Sequence, residues 1–266
     1  MKLLAPRRGF TRTAESLVGP KSGQVADLPS PDPSWKGLYL AGSVSALLFV
    51  VLNIAAIVIL AIIPPAPSSG GAATLQWIAS NKTAYTLELI LFVAPSVLAM
   101  VVFLALYMAL KHLNNSIAAI AALIAIASEV TAAAVNSSPQ SLNAALILLS
   151  DQYAAATAEA QRLAFATAAE SLIATTNAVN LAGIMLEVGI LIISLVMLRG
   201  VFPGWVAYLG IVTGVVGILS EALRPVIGFA YIVFFVLEVI WLIAVGWRLY
   251  RLGQSLTRIQ HVRAGA

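Results

Sequence analysis

The chain has 266 residues, of which 61% are hydrophobic and only 10% charged, and its mean hydropathy is +0.96. A water-soluble domain carries about 25% charged residues, so this composition excludes a wetted globule. The net charge of +4 sits beside apolar runs, which marks membrane orientation rather than a nucleic-acid surface.

Residues 1–37 form a basic tail with Pro20, Pro29, Pro31 and Pro33 and no apolar signal core. It reads as a disordered cytoplasmic arm near anionic headgroups. A spanning helix needs about 20 mostly apolar residues. Leu38 to Ile63 meets this without a charge and contains Asn53. Pro64, Pro65 and Pro67, then Ser68 to Gly71, stop it. Ala73 to Ser80, around Trp77, reads as a short interfacial helix. Ala84 to Leu110 is the second span, with Glu88 near its outer end and Pro95 inside, where a bend is expected. After the polar turn 111–115, Ser116 to Val135 forms the third span and carries Glu129.

Residues 136–177 are the largest outer segment. Two helices are predicted there, over Leu142 to Leu149 and Ala154 to Thr176. Ala178 to Leu198 is span four, with Asn180 and Glu187. Arg199 to Gly204 ends it with a cation and a Gly–Pro stop. Trp205 to Ala222 is span five. Gly210 and Gly214, with Gly217 after them, give it a close-packing face. Glu221 and Arg224, three apart, read as an ion pair at the outer rim. Val226 to Trp247 is span six and holds Glu238, and residues 254–266 form a basic cytoplasmic tail.

The predicted architecture is therefore all-α: an integral membrane bundle of six transmembrane helices over 38–253, with short outer interfacial helices. With both ends cytoplasmic, twelve Lys and Arg lie inside and three, Lys82, Arg162 and Arg224, outside. Trp35, Tyr39, Trp205, Tyr208, Trp247 and Tyr250 then mark the inner boundary, and Trp77 and Tyr85 the outer one.

Several chemistries are missing. The chain has no Cys, and its two His, His112 and His261, lie outside the spans. That removes thiolate chemistry, axial haem ligation and His-based metalloprotease motifs. No span carries a Lys for a Schiff base, and there is no Gly-rich phosphate loop. No cofactor, metal or catalytic group is expected. What remains is acidic. A charged side chain at mid-bilayer costs about 2.5–3.5 kcal/mol on insertion scales, so it turns to the bundle interior, to water or to a partner. Glu88, Glu129, Glu187, Glu221 and Glu238 fall in or at the ends of spans. Glu187 shares a helix face with Asn180, Gly183 and Ser194, and Glu129 with small alanines. Their depths suggest an acidic cavity opening outward. Glu187, Glu238, Glu129, Glu88, Asn53 and Asn180 are its candidate ligand or proton-binding residues. Glu187 and Glu238 are expected to share one site near mid-membrane.

Three stretches also carry a resemblance. Leu38-Tyr39-Leu40-Ala41-Gly42, Phe202-Pro203-Gly204-Trp205 leading into Leu209-Gly210-Ile211-Val212, and Glu238-Val239-Ile240-Trp241-Leu242 closing on Gly246 are similar to a known family. The chain resembles the uncharacterised bacterial six-span membrane family called domain of unknown function 4386, over roughly residues 38–253. The resemblance implies a six-span helical protein and brings no activity. The expected function is a non-enzymatic bundle of the inner membrane that binds a small ligand, lipid or partner protein through the acidic cavity. The lipid bilayer, a membrane-protein partner or a second copy are the expected contacts, with no nucleic acid. The alternative is a small proton- or cation-coupled secondary transporter.

Overall fold

The structure, a computed structural model, describes residues 32–135, 143–177, 181–227 and 232–264. The Asp32 carboxylate accepts the Ser34 N–H at 2.9 Å and opens a 3-10 turn, Pro33–Trp35. Helix α1 follows directly, Lys36–Ile62, so the polar tail expected to 37 gives way to helix a few residues earlier. Residues 1–31 lie outside the described residues.

Gly70, at φ +82°, turns the chain into α2, Gly71–Ser80. The predicted second span is two helices. Helix α3, Lys82–Val93, stops at Ala94, and α4, Pro95–Leu110, restarts at the proline. Pro95 has no N–H to donate back along the helix, which places the break there. Helix α5 is Asn115–Val135, α6 is Ala144–Ala155 and α7 is Glu159–Asn177. The Asn143 side chain caps α6 by accepting the Ala145 N–H at 2.9 Å. Helices α8, Leu181–Met197, α9, Gly204–Ala222, and the single turn α10, Arg224–Ile227, precede α11, Ile232–Ala264. The basic tail predicted from 254 is thus the continuation of α11, for no proline or glycine pair interrupts it.

The described residues hold no strand, and the fold is an all-α membrane bundle. Pro33–Ile62, Lys82–Leu110, Asn115–Ala134, Gly204–Ala222 and Val233–Ser255 are each long and apolar enough to cross a membrane. Helix α8 is apolar but has 17 residues, about 25 Å at 1.5 Å per residue. Val44, Leu47, Val51, Ile54 and Val58 make an exposed apolar stripe along α1, and Val233, Val236, Ile240 and Ile243 do the same on α11. Such stripes on helices with buried inner faces suit lipid tails, not water.

Close approaches set the helix directions. Gly42 meets Ala105 and Leu249, while Gly246 meets Ala46 and Gly253 meets Leu40. Helix α1 therefore runs antiparallel to α11 and, with the Tyr39 hydroxyl donating to the Met108 carbonyl at 3.4 Å, to α4 as well. Gly189 faces Ala121 and Ala125 while Ser128 meets the Ala182 carbonyl, so α8 runs antiparallel to α5. Gly217, Gly214 and Gly210 face Glu187, Leu191 and Ser194 in turn, so α9 runs antiparallel to α8. The main core lies between these helices around Tyr39, Phe103, Leu106, Ile190, Trp241 and Val245.

A second core sits at one end. Leu75, Ile78, Tyr85, Leu89, Leu146, Ala169 and Ile173 pack together from α2, α3, α6 and α7. These helices form a cap. Helix α2, read from sequence as interfacial, presses Leu75 and Ile78 against α6 and α7 until neither is exposed.

Candidate functional site: a buried carboxylate cluster

Helix spacing on α8 places Glu187, Leu191 and Ser194 on one stripe. The glycines of α9 fall at the matching spacing, so the backbones approach closely. A Cβ at Gly214 would stand 2.8 Å from the Glu187 carbonyl oxygen, and one at Gly217 would overlap the Glu187 carboxyl group. The glycine face expected at Gly210 and Gly214 is therefore the seat of α8, and Gly217 makes room for a carboxylate. Further along, the Ser194 hydroxyl and the Trp241 indole N–H meet over Gly210.

Glu187 is not alone. Glu129 on α5, Glu221 on α9 and Glu238 on α11 lie within electrostatic reach of it, and Glu238 is within reach of Glu129 and Glu221. Four helices thus bring four carboxylates together. All are buried, with Glu238 the most exposed of them at 7%. Their side chains lie buried among the helices. Glu187 lies two residues from the middle of α8, and Glu238 lies six residues after the first described residue of α11.

Their partners differ. The Glu129 carboxylate lies within hydrogen-bonding reach of Ser96 at the start of α4. Next to it, the Ser128 hydroxyl donates to the Ala182 carbonyl of α8 at 2.5 Å. Glu221 pairs with Arg224 at 3.7 Å, and both side chains are buried, at 2% and 10% exposure. Glu187 Oε2, Ser194 Oγ and Trp241 Nε1 are buried without a hydrogen-bond partner. Burying such atoms unpaired costs about 1–3 kcal/mol each.

The family can now be stated. The family model described as domain of unknown function (DUF4386) matches residues 40–253. The chain belongs to this family. No curated protein and no solved structure matches the chain. All four clustered carboxylates fall inside the part of the chain that is DUF4386.

The remaining predicted residues of this DUF4386 member stand apart from the cluster. Glu88, expected near water, is fully buried on α3 beneath the cap, with Tyr85 one turn away and neither carboxyl oxygen hydrogen-bonded. Asn53 is buried on α1 and turns its amide back to the Phe49 carbonyl at 2.9 Å. Asn180 lies outside the described residues. Ser96 and Trp241 were not singled out for the site from sequence. Trp241 stands three residues after Glu238 on α11, which does place the two on neighbouring positions of one face. Ser96 carries no such signal, because its partner Glu129 comes from another helix. Among the described residues, no group of three His, Asp or Glu side chains converges closely enough to hold a metal ion.

Proposed function

We propose that this is a six-span, non-enzymatic bacterial inner-membrane protein that binds a small, positively charged ligand at the carboxylate cluster. The carrying observation is the burial of Glu129, Glu187, Glu221 and Glu238 from four helices within electrostatic reach of one another, with the Glu221–Arg224 ion pair among them. Acidic groups in an apolar bundle are costly unless a positive charge or a proton meets them. An organic cation fits better than a bare metal ion, because among the described residues no three of these side chains converge closely enough to hold one.

Six passes are supported by the alternation of helix directions. Helices α5, α8 and α9 alternate, and α1 and α11 run antiparallel. A 17-residue α8 is short for a hydrocarbon core of about 30 Å, but the preceding residues 178–180 are outside the described set. Lys36, Lys111, Arg199, Arg248 and Arg251 lie at the end away from the cap, and Lys82, Arg162 and Arg224 on the cap side. By the positive-inside rule the cap then faces outward and both ends are cytoplasmic. Reporter fusions at residues 1 and 266 test this, and an outer location for either sinks it.

Native mass spectrometry of the purified chain tests the ligand. A cationic small molecule is expected on the wild type and not on Glu187→Gln/Glu238→Gln. The same adduct on both, or none on the wild type, overturns the reading. The second reading, a proton- or cation-coupled transporter, is favoured by the span broken between α3 and α4 at Pro95. Proton uptake into proteoliposomes that the same double variant abolishes would select it.

A further inference from the structure

At the end of the bundle away from the cap, a groove of about 290 Å³ lies between the α8–α9 connection and α11. Val201, Phe202, Arg248, Arg251, Leu252 and Ser255 line it. We propose that this groove binds the phosphate of an anionic membrane lipid.

The sequence sets the charge. Arg248 and Arg251 are three residues apart on α11, so both side chains reach the same face. Arg248 is half-buried, and its Nη2 donates to the Val201 carbonyl at 3.4 Å. That bond fixes the side chain and leaves the other N–H donors of its guanidinium for an anion. The Arg251 guanidinium sits over the Trp247 ring at 5.8 Å, which orients it while keeping it exposed. The Ser255 hydroxyl donates to the Leu252 carbonyl at 2.9 Å, so the two arginines are the donors the groove presents. Among the described residues, no carboxylate lines it.

Its level and its lining argue for a lipid rather than a soluble phosphate. Trp205, Tyr208, Trp247 and Tyr250 are all exposed at this end, and rings of this kind settle at the headgroup level of a bilayer. Phe202, Val201 and Leu252 supply an apolar wall beside the two cations, as a headgroup joined to an acyl chain requires. Basic pockets at this level between spanning helices suit anionic headgroups.

The full chain, purified in detergent, is titrated with phosphatidylglycerol, phosphatidylcholine or inorganic phosphate, and bound lipid is counted by native mass spectrometry. Wild type should retain phosphatidylglycerol over phosphatidylcholine. Arg248→Gln/Arg251→Gln should bind it about tenfold more weakly or worse, since each charge-assisted bond is worth a factor of that order. Arg199→Gln, which removes a cation at the same end but outside the groove, should bind like the wild type. Arg248→Lys/Arg251→Lys keeps the charges, and a partial recovery shows that the double Gln variant did not simply unfold. The proposal is overturned if inorganic phosphate displaces the lipid stoichiometrically, if Arg199→Gln weakens binding as much as the double variant, or if neither lipid is preferred.

Discussion

The cap and the bundle are built from the same kind of helix, yet they are held by different forces. In the cap, polar groups tie element to element. The Glu170 carboxylate accepts the Gly71 N–H at 2.5 Å, capping α2 from α7. Tyr85 donates its hydroxyl to the Asn143 carbonyl at 3.1 Å and accepts the Asn143 N–H at 2.8 Å. The Thr74 hydroxyl donates to the Pro67 carbonyl at 2.8 Å, and Lys82 meets Asp151 at 2.7 Å. In the bundle, glycines and alanines bring backbones together, while Glu187, Ser194 and Trp241 keep buried polar atoms unpaired. These cap contacts tie helices to one another, whereas the unpaired atoms of Glu187, Ser194 and Trp241 add cost to the fold.

The sharpest way to break this contrast is at Gly214. A Cβ there would lie 2.8 Å from the Glu187 carbonyl and 2.9 Å from the Leu191 nitrogen, both backbone atoms that cannot step aside. Overpacking a tight contact costs about 1–3 kcal/mol and sometimes more. Gly214→Val should separate α8 from α9 and lower the thermal midpoint of the purified protein more than any cap variant. A midpoint equal to the wild type would show that the α8–α9 seat is loose.

Tyr85→Phe makes the matching cut in the cap. It leaves the Asn143 N–H without its partner, while the Asn143 carbonyl keeps the Leu146 N–H, at a cost of about 1–3 kcal/mol. Hydrogen exchange should quicken in α6, over 144–155, and stay unchanged in α8 and α9. Faster exchange spread over the whole chain would mean that cap and bundle unfold as one.

The class of the molecule was legible because a chain with so few charges has nowhere to go but a bilayer. The carboxylates were legible too, since each interrupts an apolar run, and the spacing of Glu187 and Ser194 on one face needed only the helical repeat. What covers a face was not legible. An amphipathic helix such as α2 has the same pattern whether it meets headgroups or protein, and its partner Glu170 lies 99 residues away. Glu88 looked close to water for the same reason, for nothing local announces that a cap closes over it. The break at Pro95 was visible as a bend, because proline acts on its own helix. The extension of α11 past Trp247 was not, because falling hydropathy looks the same in a helix leaving the membrane as in a tail.

His112 tests the bundle's other end. It lies in the turn between α4 and α5, outside the spans, and both ring nitrogens are buried without hydrogen-bond partners. Burial lowers its pKa from the ordinary 6.5. The folded protein thus resists a proton that the unfolded chain accepts, so stability is complete above pH 6.5 and falls as the pH drops below it. Thermal midpoints measured from pH 7.5 down to 5.5 should decline in the wild type, and this part of the decline should vanish in His112→Leu. An unchanged slope would place the acid sensitivity elsewhere.

The smallest expected effect separates a decorative polar contact from a structural one within the cap itself. Lys82 and Asp151 make a short ion pair, but their side chains remain 48% and 51% exposed. In that setting water screens the attraction and ordering two side chains offsets part of it. Asp151→Asn should therefore change stability by less than about 1 kcal/mol, well below Tyr85→Phe, although the Tyr85 bonds carry no formal charge. Salt should matter in the same proportion: raising it from about 0.05 M to about 0.5 M shortens the screening length several-fold and should erase what difference the variant makes. If Asp151→Asn instead loosens α6 as much as Tyr85→Phe, the cap is held by its surface charges and the contrast with the bundle is one of charge, not of burial.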